Sequence, residues 1–426
     1  MTNPATEIFT QRESEVRSYC RNWPVVFDTA KGVHQTTEDG EVYTDFFSGA
    51  GALNYGHNND VLKQALLDYV TRDGVTHSMD MHTKAKRDFL ETFTEVILEP
   101  RGMTHKIQFP GPTGTNAVET ALKTARKVTG REEIVSFTNA FHGMTLGSLA
   151  VTGNAFKRAG AGTPLYHATS APYDDYIVGE TSDFAWLKRI WADSGSGHNL
   201  PAAVIVETVQ GEGGLNAARG EWLKELEALC KEHGVLLIID DVQAGCGRTG
   251  TFFSFEPFGL DPDIITLSKS ISGYGLPMAL TLMKPEVDDW EPGEHNGTFR
   301  GHNPAFVTAT TALRTYWTDD TLQRNVAERT AQLRERLEVL AGLAEGSELR
   351  GRGLLSGVAF ADKEVAEKIA KAAFAHKLLV ETSGPSSEVV KVMPPLTITE
   401  EEMAAGLDQL EDAAREVLGA PARTGA

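Results

Sequence analysis

The chain has 426 residues, more than the roughly 250 to 300 at which one hydrophobic core stops growing, so it reads as about two to three domains. With 41% hydrophobic and 23% charged residues it can bury sizeable cores and lacks the composition of a disordered or fibrous protein. Its 40 Lys and Arg stand against 59 Asp and Glu, and the net charge of −19 repels phosphate backbones and anionic lipid, which argues against nucleic-acid and membrane partners.

The opening MTNPATEIFTQRESEVRS carries charges where a signal peptide needs its apolar core, and the most apolar runs are far shorter than a membrane span. Cys20, Cys230 and Cys246 are odd in number and have no CxxC spacing, which suits a reducing compartment rather than a disulfide framework. A cytoplasmic location is expected. No metal site is expected either, because the pair His77 and His82 has no thiolate cluster to support it.

From 104 to 310, short aliphatic runs alternate with helical patterns, as in a parallel sheet covered by helices. The first expected helix spans 115–129, where Ala117, Val118, Ala121, Leu122, Ala125 and Val128 share a face and Gly130 sits where a left-handed cap would end it. It opens with GPTGTNAVETALKTAR. Free N–H groups and the helix dipole there make either a phosphate cradle, with Gly114 admitting the backbone and Thr115 adding a hydroxyl, or ordinary capping.

Strands are expected at 134–137, 203–206, 235–239, 264–267 and 278–283, each a short apolar run suited to burial on both faces. After the first comes NAFHGMT, whose Phe141 either stacks on a flat ring or fills the core. Glu207 ends the second, beside the glycine turn of VETVQGEGG. It is either functional or simply a strand-ending acid. A helix over 221–233, capped by Gly234, leads into the third.

That third strand runs into Asp240 and Asp241, in VLLIIDDVQAGCGRTG. Ligands of parallel α/β sheets bind at the carboxyl ends of strands, and adjacent side chains point to opposite faces, so the two acids either serve different roles or are merely solvated. Lys269, in DIITLSKSISGYGLPMA, closely follows the next strand. A lysine desolvated there has a lowered pKa and a neutral amine available for Schiff-base chemistry, unless it is a plain surface lysine. After Pro304 long helices are expected at 305–316, 322–343, 364–376 and 400–418, with brief strands near 354–360, 378–380 and 389–393, forming a smaller α+β domain.

One cofactor uses all of these groups. Pyridoxal 5′-phosphate needs a lysine, a carboxylate that keeps its ring nitrogen protonated, an aromatic face and a phosphate cradle. The spacing of Asp240 and Lys269, in the contexts DDVQAGCGRTG and LSKSISGYGLPMA, resembles the class III (ω-amino acid) aminotransferases of fold type I. The likeness runs from about Gly49 to Pro395. It implies an α/β fold with a large cofactor-binding domain, here 60–310, built on a mostly parallel sheet. The smaller domain would be 311–426, with 1–59 contributing to it.

By position, the resemblance implies Lys269 as the Schiff-base lysine and Asp240 as the ring-nitrogen carboxylate. Gln243 would lie beside the ring's phenolic oxygen, and Phe141, followed by His142, would stack on the ring. Gly114 with Thr115 would bind phosphate. Thr298, in HNGTFRGHNP, would reach the phosphate of a neighbouring subunit, implying a homodimer with shared active sites.

Substrate contacts would come from Trp23, Ala50, Glu207 and Lys391. Lys391 stands where relatives acting on ornithine or 4-aminobutyrate place an arginine that pairs with the counterpart of Glu207, and Met144 stands at another arginine position. Ala50 replaces a bulky aromatic and Asn116 a glutamate. With the opening RNWPVVFDTAKG, these departures resemble the branch that moves an amino group from L-glutamate to L-aspartate 4-semialdehyde in ectoine biosynthesis. Ornithine, acetylornithine or 4-aminobutyrate transamination, or a cofactor-dependent decarboxylase or aminomutase of the same fold, are the alternatives.

Overall fold

The computed structural model describes residues 4–177 and 184–423; residues 1–3, 178–183 and 424–426 lie outside the described residues. A seven-stranded sheet runs in the order Lys106–Gln108, Leu280–Met283, Ile264–Leu267, Leu236–Asp240, Ala203–Val206, Ile134–Phe137, Ala168–Ala171. Leu280–Met283 is antiparallel to both neighbours and the other pairings are parallel. Every residue of the strands at 134–137, 203–206, 264–267 and 280–283 is buried, which explains their continuous apolar runs. The two outermost strands, KIQ and ATSA, carried no such signal, because edge strands are covered on fewer sides and tolerate small and polar residues.

Gly114–Thr129 is a helix whose buried residues include Ala117, Val118, Ala121, Leu122 and Ala125. Gly130 ends it at φ 66°, and Gly234 ends Gly220–His233 at φ 58°, a conformation glycine adopts without a Cβ penalty. The C-terminal helices Asn303–Tyr316, Thr321–Ala341, Lys363–Ala375 and Glu400–Leu418 stand within about two residues of the expected bounds. Thr321–Ala341 and Lys363–Ala375 pack on an antiparallel sheet ordered Glu348–Arg352, Leu355–Ala359, Val389–Val392, Glu381–Ser383, and Glu400–Leu418 packs against both of these helices. The strands Phe27–Lys31, His34–Thr37 and Val42–Asp45 form a further sheet, which Leu378–Leu379 extends by pairing parallel with Val42–Asp45. The two ends of the chain thus share one sheet.

Arg248 joins these parts. Its guanidinium is fully buried and donates to the carbonyls of Leu354 and Pro394 and to Asn54 Oδ1, so one side chain ties the N-terminal, central and C-terminal segments together. Burial lowers its pKa to about 9. Arg248→Ala should destabilise the protein by about 3 kcal/mol or more, because three buried acceptors lose their donors at ~1 kcal/mol or more each. Urea unfolding of the variant checks this; a loss under about 1 kcal/mol would contradict the linking role.

Candidate active site

The strands Ile264–Leu267 and Leu236–Asp240 lie side by side and parallel, with Asp240 opposite Thr266, so their carboxyl ends open on the same edge of the sheet. Asp240 and Lys269 line one cleft of about 640 Å³, with Gly114, Thr115, Phe141, His142, Glu207 and Gln243 also on its walls. Asp241 goes the other way, as strand alternation requires, and its Oδ2 accepts from the backbone N–H of Ser254 at 2.8 Å. Burial raises the Asp241 carboxyl to about 7.

Asp240 is held from two sides. Its Oδ1 accepts from Thr266 Oγ1 at 2.9 Å and from the N–H of Val242 at 3.1 Å, while Oδ2 lies 2.6 Å from His142 Nδ1. Burial opposes a charged His142 ring, but the hydrogen bond and charge of Asp240 outweigh it and raise the imidazole pKa. The other ring nitrogen, Nε2, is buried without a hydrogen-bond partner.

Lys269 leaves the sheet at φ 52°, an uncommon conformation for a residue with a Cβ and one that a functional site tolerates when its surroundings hold it. Ser268 Oγ anchors the turn on the carbonyl of Met278 at 2.9 Å, and Ser270 Oγ donates to the carbonyl of Gly51 at 2.6 Å. Burial lowers the Lys269 ammonium to about 8. The charge of Glu212 opposes this shift and that of Lys391 adds to it. At pH 7 about a tenth of such an amine is neutral, against well under a thousandth for an ordinary lysine.

The helix Gly114–Thr129 points its N-terminus at the same cleft. Thr113, its N-cap, makes no side-chain capping bond and instead donates from Oγ1 to Asn116 Oδ1, leaving first-turn N–H groups for an anion. Two glycines keep this cradle open. A Cβ on Gly114 would meet Val242 Cγ1 at 2.9 Å, and one on Gly143, already at φ 130°, would meet Thr115 Oγ1 at 2.4 Å. A helix N-terminus, a buried carboxylate, an unpartnered imidazole nitrogen and a depressed lysine around one cleft suit pyridoxal phosphate in its charge pattern and donor set.

The expected pairing of Glu207 with Lys391 is not what the structure contains. Glu207 Oε2 accepts from the N–H of Phe141 at 3.0 Å, and its carboxyl rises to about 7 chiefly through burial, despite the charge of His142. Lys391 is fully buried and lies 2.8 Å from Glu212 Oε1 and 2.9 Å from Glu381 Oε1. Glu212 falls to about 2: burial opposes the shift, and the charges of Lys391 and Lys269 outweigh it. The signal for Glu212 was present as the second acid of VETVQGEGG, where the glycine turn carries it over the cleft. Glu381 was legible only once Glu381–Ser383 was seen to pair with Val389–Val392, which sets Glu381 directly opposite Lys391.

Gln243 links this cluster to the N-terminal segment, donating from Nε2 to the Ala50 carbonyl at 3.1 Å and to Glu212 Oε1 at 3.2 Å. Ala50 is positioned by the turn Ser48–Gly51, whose start Asp45 caps by accepting from the N–H groups of Phe47 and Ser48 at 2.8 Å. Trp23 packs edge-on against Phe47 with ring centroids 5.0 Å apart, one layer behind this turn and away from the cleft walls. Thr298 is also absent from those walls; it lies on an exposed loop where its carbonyl accepts from His77 Nε2 at 2.8 Å.

Residues 17–414 match the family model Aminotransferase class-III. The chain is 63% identical to a diaminobutyrate--2-oxoglutarate transaminase of Streptomyces avermitilis, covering 98% of this chain and 99% of that one. It is 56% identical to a protein of the same name from Virgibacillus pantothenticus, covering 97% and 99%. Among solved structures, an ornithine aminotransferase from Toxoplasma gondii with pyridoxal phosphate at partial occupancy in its active site superposes with a TM-score of 0.82. That pair is 25% identical and the match covers 98% of this chain and 96% of that one. An acetylornithine aminotransferase from Elizabethkingia anophelis gives 0.78 at 25% identity, over 97% and 98%. A cleft whose lysine, carboxylate and anion cradle suit pyridoxal phosphate therefore sits in a chain that belongs to the class III aminotransferases.

Proposed function

We propose that the protein transfers the amino group of L-glutamate to L-aspartate 4-semialdehyde, giving L-2,4-diaminobutyrate and 2-oxoglutarate, by a reversible ping-pong route in ectoine biosynthesis. The observation that carries this reading is the buried cation Lys391 set between two carboxylates beside the cleft. The amino-acid end of diaminobutyrate bears both an ammonium and a carboxylate, and a lysine flanked by acids offers a partner for each.

Pyridoxal phosphate, bound in the cleft, supplies an electrophilic carbon that takes up amino groups and a protonated ring that accepts the electron pair left when the substrate carbon loses its proton. Asp240 holds negative charge where the ring nitrogen needs a proton, and its bonds from Thr266, Val242 and His142 keep it from turning away. Lys269 Nζ, on the cleft wall, would take the proton from the reacting carbon of the substrate and deliver it to the carbon on the far side of the transferred nitrogen, acting first as base and then as acid. Phe141 covers one side of the cleft and excludes water there. When glutamate binds, Lys391 releases Glu212 to meet a substrate carboxylate; when the aldehyde partner binds, the Lys391–Glu212 pair re-forms.

The test is a coupled assay with L-glutamate and L-aspartate 4-semialdehyde, identifying the product by mass. Diaminobutyrate as the main product supports the reading. Preference for ornithine, acetylornithine or 4-aminobutyrate, or release of carbon dioxide without a keto-acid acceptor, would overturn it.

The reading includes a homodimer in the cytoplasm. Among the described residues no helix is long and apolar enough to cross a membrane. Thr298 and the neighbouring Phe299 are exposed on a loop and are not on the walls of their own cleft, which suits completion of a phosphate site in a second subunit. Mixed dimers of Lys269→Ala with Thr298→Ala should therefore recover about half of the wild-type activity, because one of the two sites then has both residues. Recovery no better than the sum of the two parent variants would rule out the shared site.

A further inference from the structure

A second cleft lies against the first. Phe141 and Glu212 line both, and the far side is built from Asn139, Asn154, Phe156 and Lys157 around a space of about 690 Å³. The Lys157 ammonium stands 4.1 Å from the centroid of the Phe141 ring. Its backbone is fixed, since Lys157 N–H donates to the capping Asn154 Oδ1 at 3.0 Å. The helix Ala155–Ala159 is tied down beside it, with the Arg158 guanidinium donating to the carbonyls of Leu149, Ala150 and Thr152.

The charges around the two clefts are unevenly committed. Arg158 is used on carbonyls, Lys391 faces Glu212 and Glu381, and Lys269 is the reacting amine. Among the described residues no carboxylate pairs with Lys157, which makes it the cation at these clefts without an anionic partner. Asp240 and Glu212 on the inner walls already face His142 and Lys391, so a donor that brings a second carboxylate needs a further cation to meet it. Met144, in the FHGM turn, is exposed and uncharged and offers none.

We propose that Lys157 receives the distal carboxylate of the five-carbon dicarboxylate amino donor, at the edge of Phe141 where the two clefts meet. This rests on L-glutamate being the donor. Two carboxylates then meet two separate cations, Lys391 deep in the site and Lys157 at its mouth. The cation–π contact with Phe141 holds the ammonium in place before substrate arrives, and the ring itself is a weak competitor for it. Because the cleft is open to solvent, salt screens the interaction.

The holoenzyme and its Lys157→Gln and Lys157→Arg variants would be titrated calorimetrically with glutarate, which has both carboxylates and no amine, and with butyrate, which has one. Lys157→Gln should weaken glutarate about tenfold, leave butyrate within about twofold and flatten the salt dependence of glutarate binding; Lys157→Arg should restore most of the loss. Equal glutarate affinity in wild type and Lys157→Gln, or an equal loss for both probes, would overturn the proposal. If wild type binds glutarate through Lys157 yet does not turn over glutamate, the donor assignment fails instead and the anion site stands.

Discussion

Lys269→Ala should lose at least about 10³-fold in transamination and all of the visible absorbance of lysine-bound cofactor, while remaining folded. The side chain is asked for two things, a covalent anchor and a proton-transfer group, and the second alone is worth roughly 10²–10⁴ in rate. The turn that carries it is held by Ser268 and Ser270 rather than by the lysine, so the backbone has no reason to collapse. The same residue sets a pH dependence. Attachment of cofactor to the cofactor-free protein uses the neutral amine, and burial has brought its pKa from 10.5 to about 8. The attachment rate should rise about tenfold per pH unit up to about pH 8 and then level off, as stopped-flow absorbance would record. A rise continuing past pH 10 would mean that the amine is not desolvated, and a variant with near-normal turnover would remove Lys269 from the chemistry altogether.

Asp240→Asn should still bind cofactor and lose about 10²–10³-fold in activity, the usual consequence of removing one fixed charge from where charge develops. Asn keeps the shape and can still accept from Thr266 and Val242, but it no longer offsets a charged His142. In wild type the His142 pKa is raised, so protonation of the ring stabilises the fold fully below the ordinary histidine pKa of about 6.5, and the gain fades as pH rises through the folded value. Without the aspartate, burial is opposed only by the weaker charge of Glu207, so the pKa falls below its ordinary value, and protonation in the unfolded chain then opposes folding as pH drops. Asp240→Asn should accordingly cost more stability at pH 5 than at pH 8 in parallel urea titrations. A loss independent of pH would show that the two side chains are not coupled.

The negative net charge of −19 suits a protein that works at high ionic strength, where screening weakens self-repulsion and exposed ion pairs contribute little. Activity should persist there, apart from the salt-sensitive donor binding at Lys157.

Much of the site was legible because local rules and catalytic chemistry coincide. An acid ending one buried strand and a lysine just beyond the next are readable as positions at a sheet edge, because strand alternation and right-handed crossovers leave few other placements. The helix opening at Gly114 and the caps at Gly130 and Gly234 are readable for the same reason: each is a statement about backbone groups within one turn. What could not be read were pairings between segments distant in the chain. Glu207 and Glu212 sit five residues apart in one motif, and which of them meets Lys391 depends on how the glycine turn folds over the cleft. Glu381 depends on strand register, where a slip of one residue would turn its side chain to the other face. Arg248 shows the same limit, since its three acceptors come from residues 54, 354 and 394.

The amino-acid sequence by itself determined the α/β class, the order of the main elements and most residue types on the walls of the cleft, since periodicity, capping and strand-end placement act over a few residues. The tertiary structure alone decided the charge network: which acids flank Lys391, that Asp240 shares its carboxylate with His142, and that among the described residues Lys157, over the Phe141 ring, has no carboxylate ion-paired to it. Coulombic energies between buried groups depend on distances of a few ångströms, and only the folded chain sets those distances.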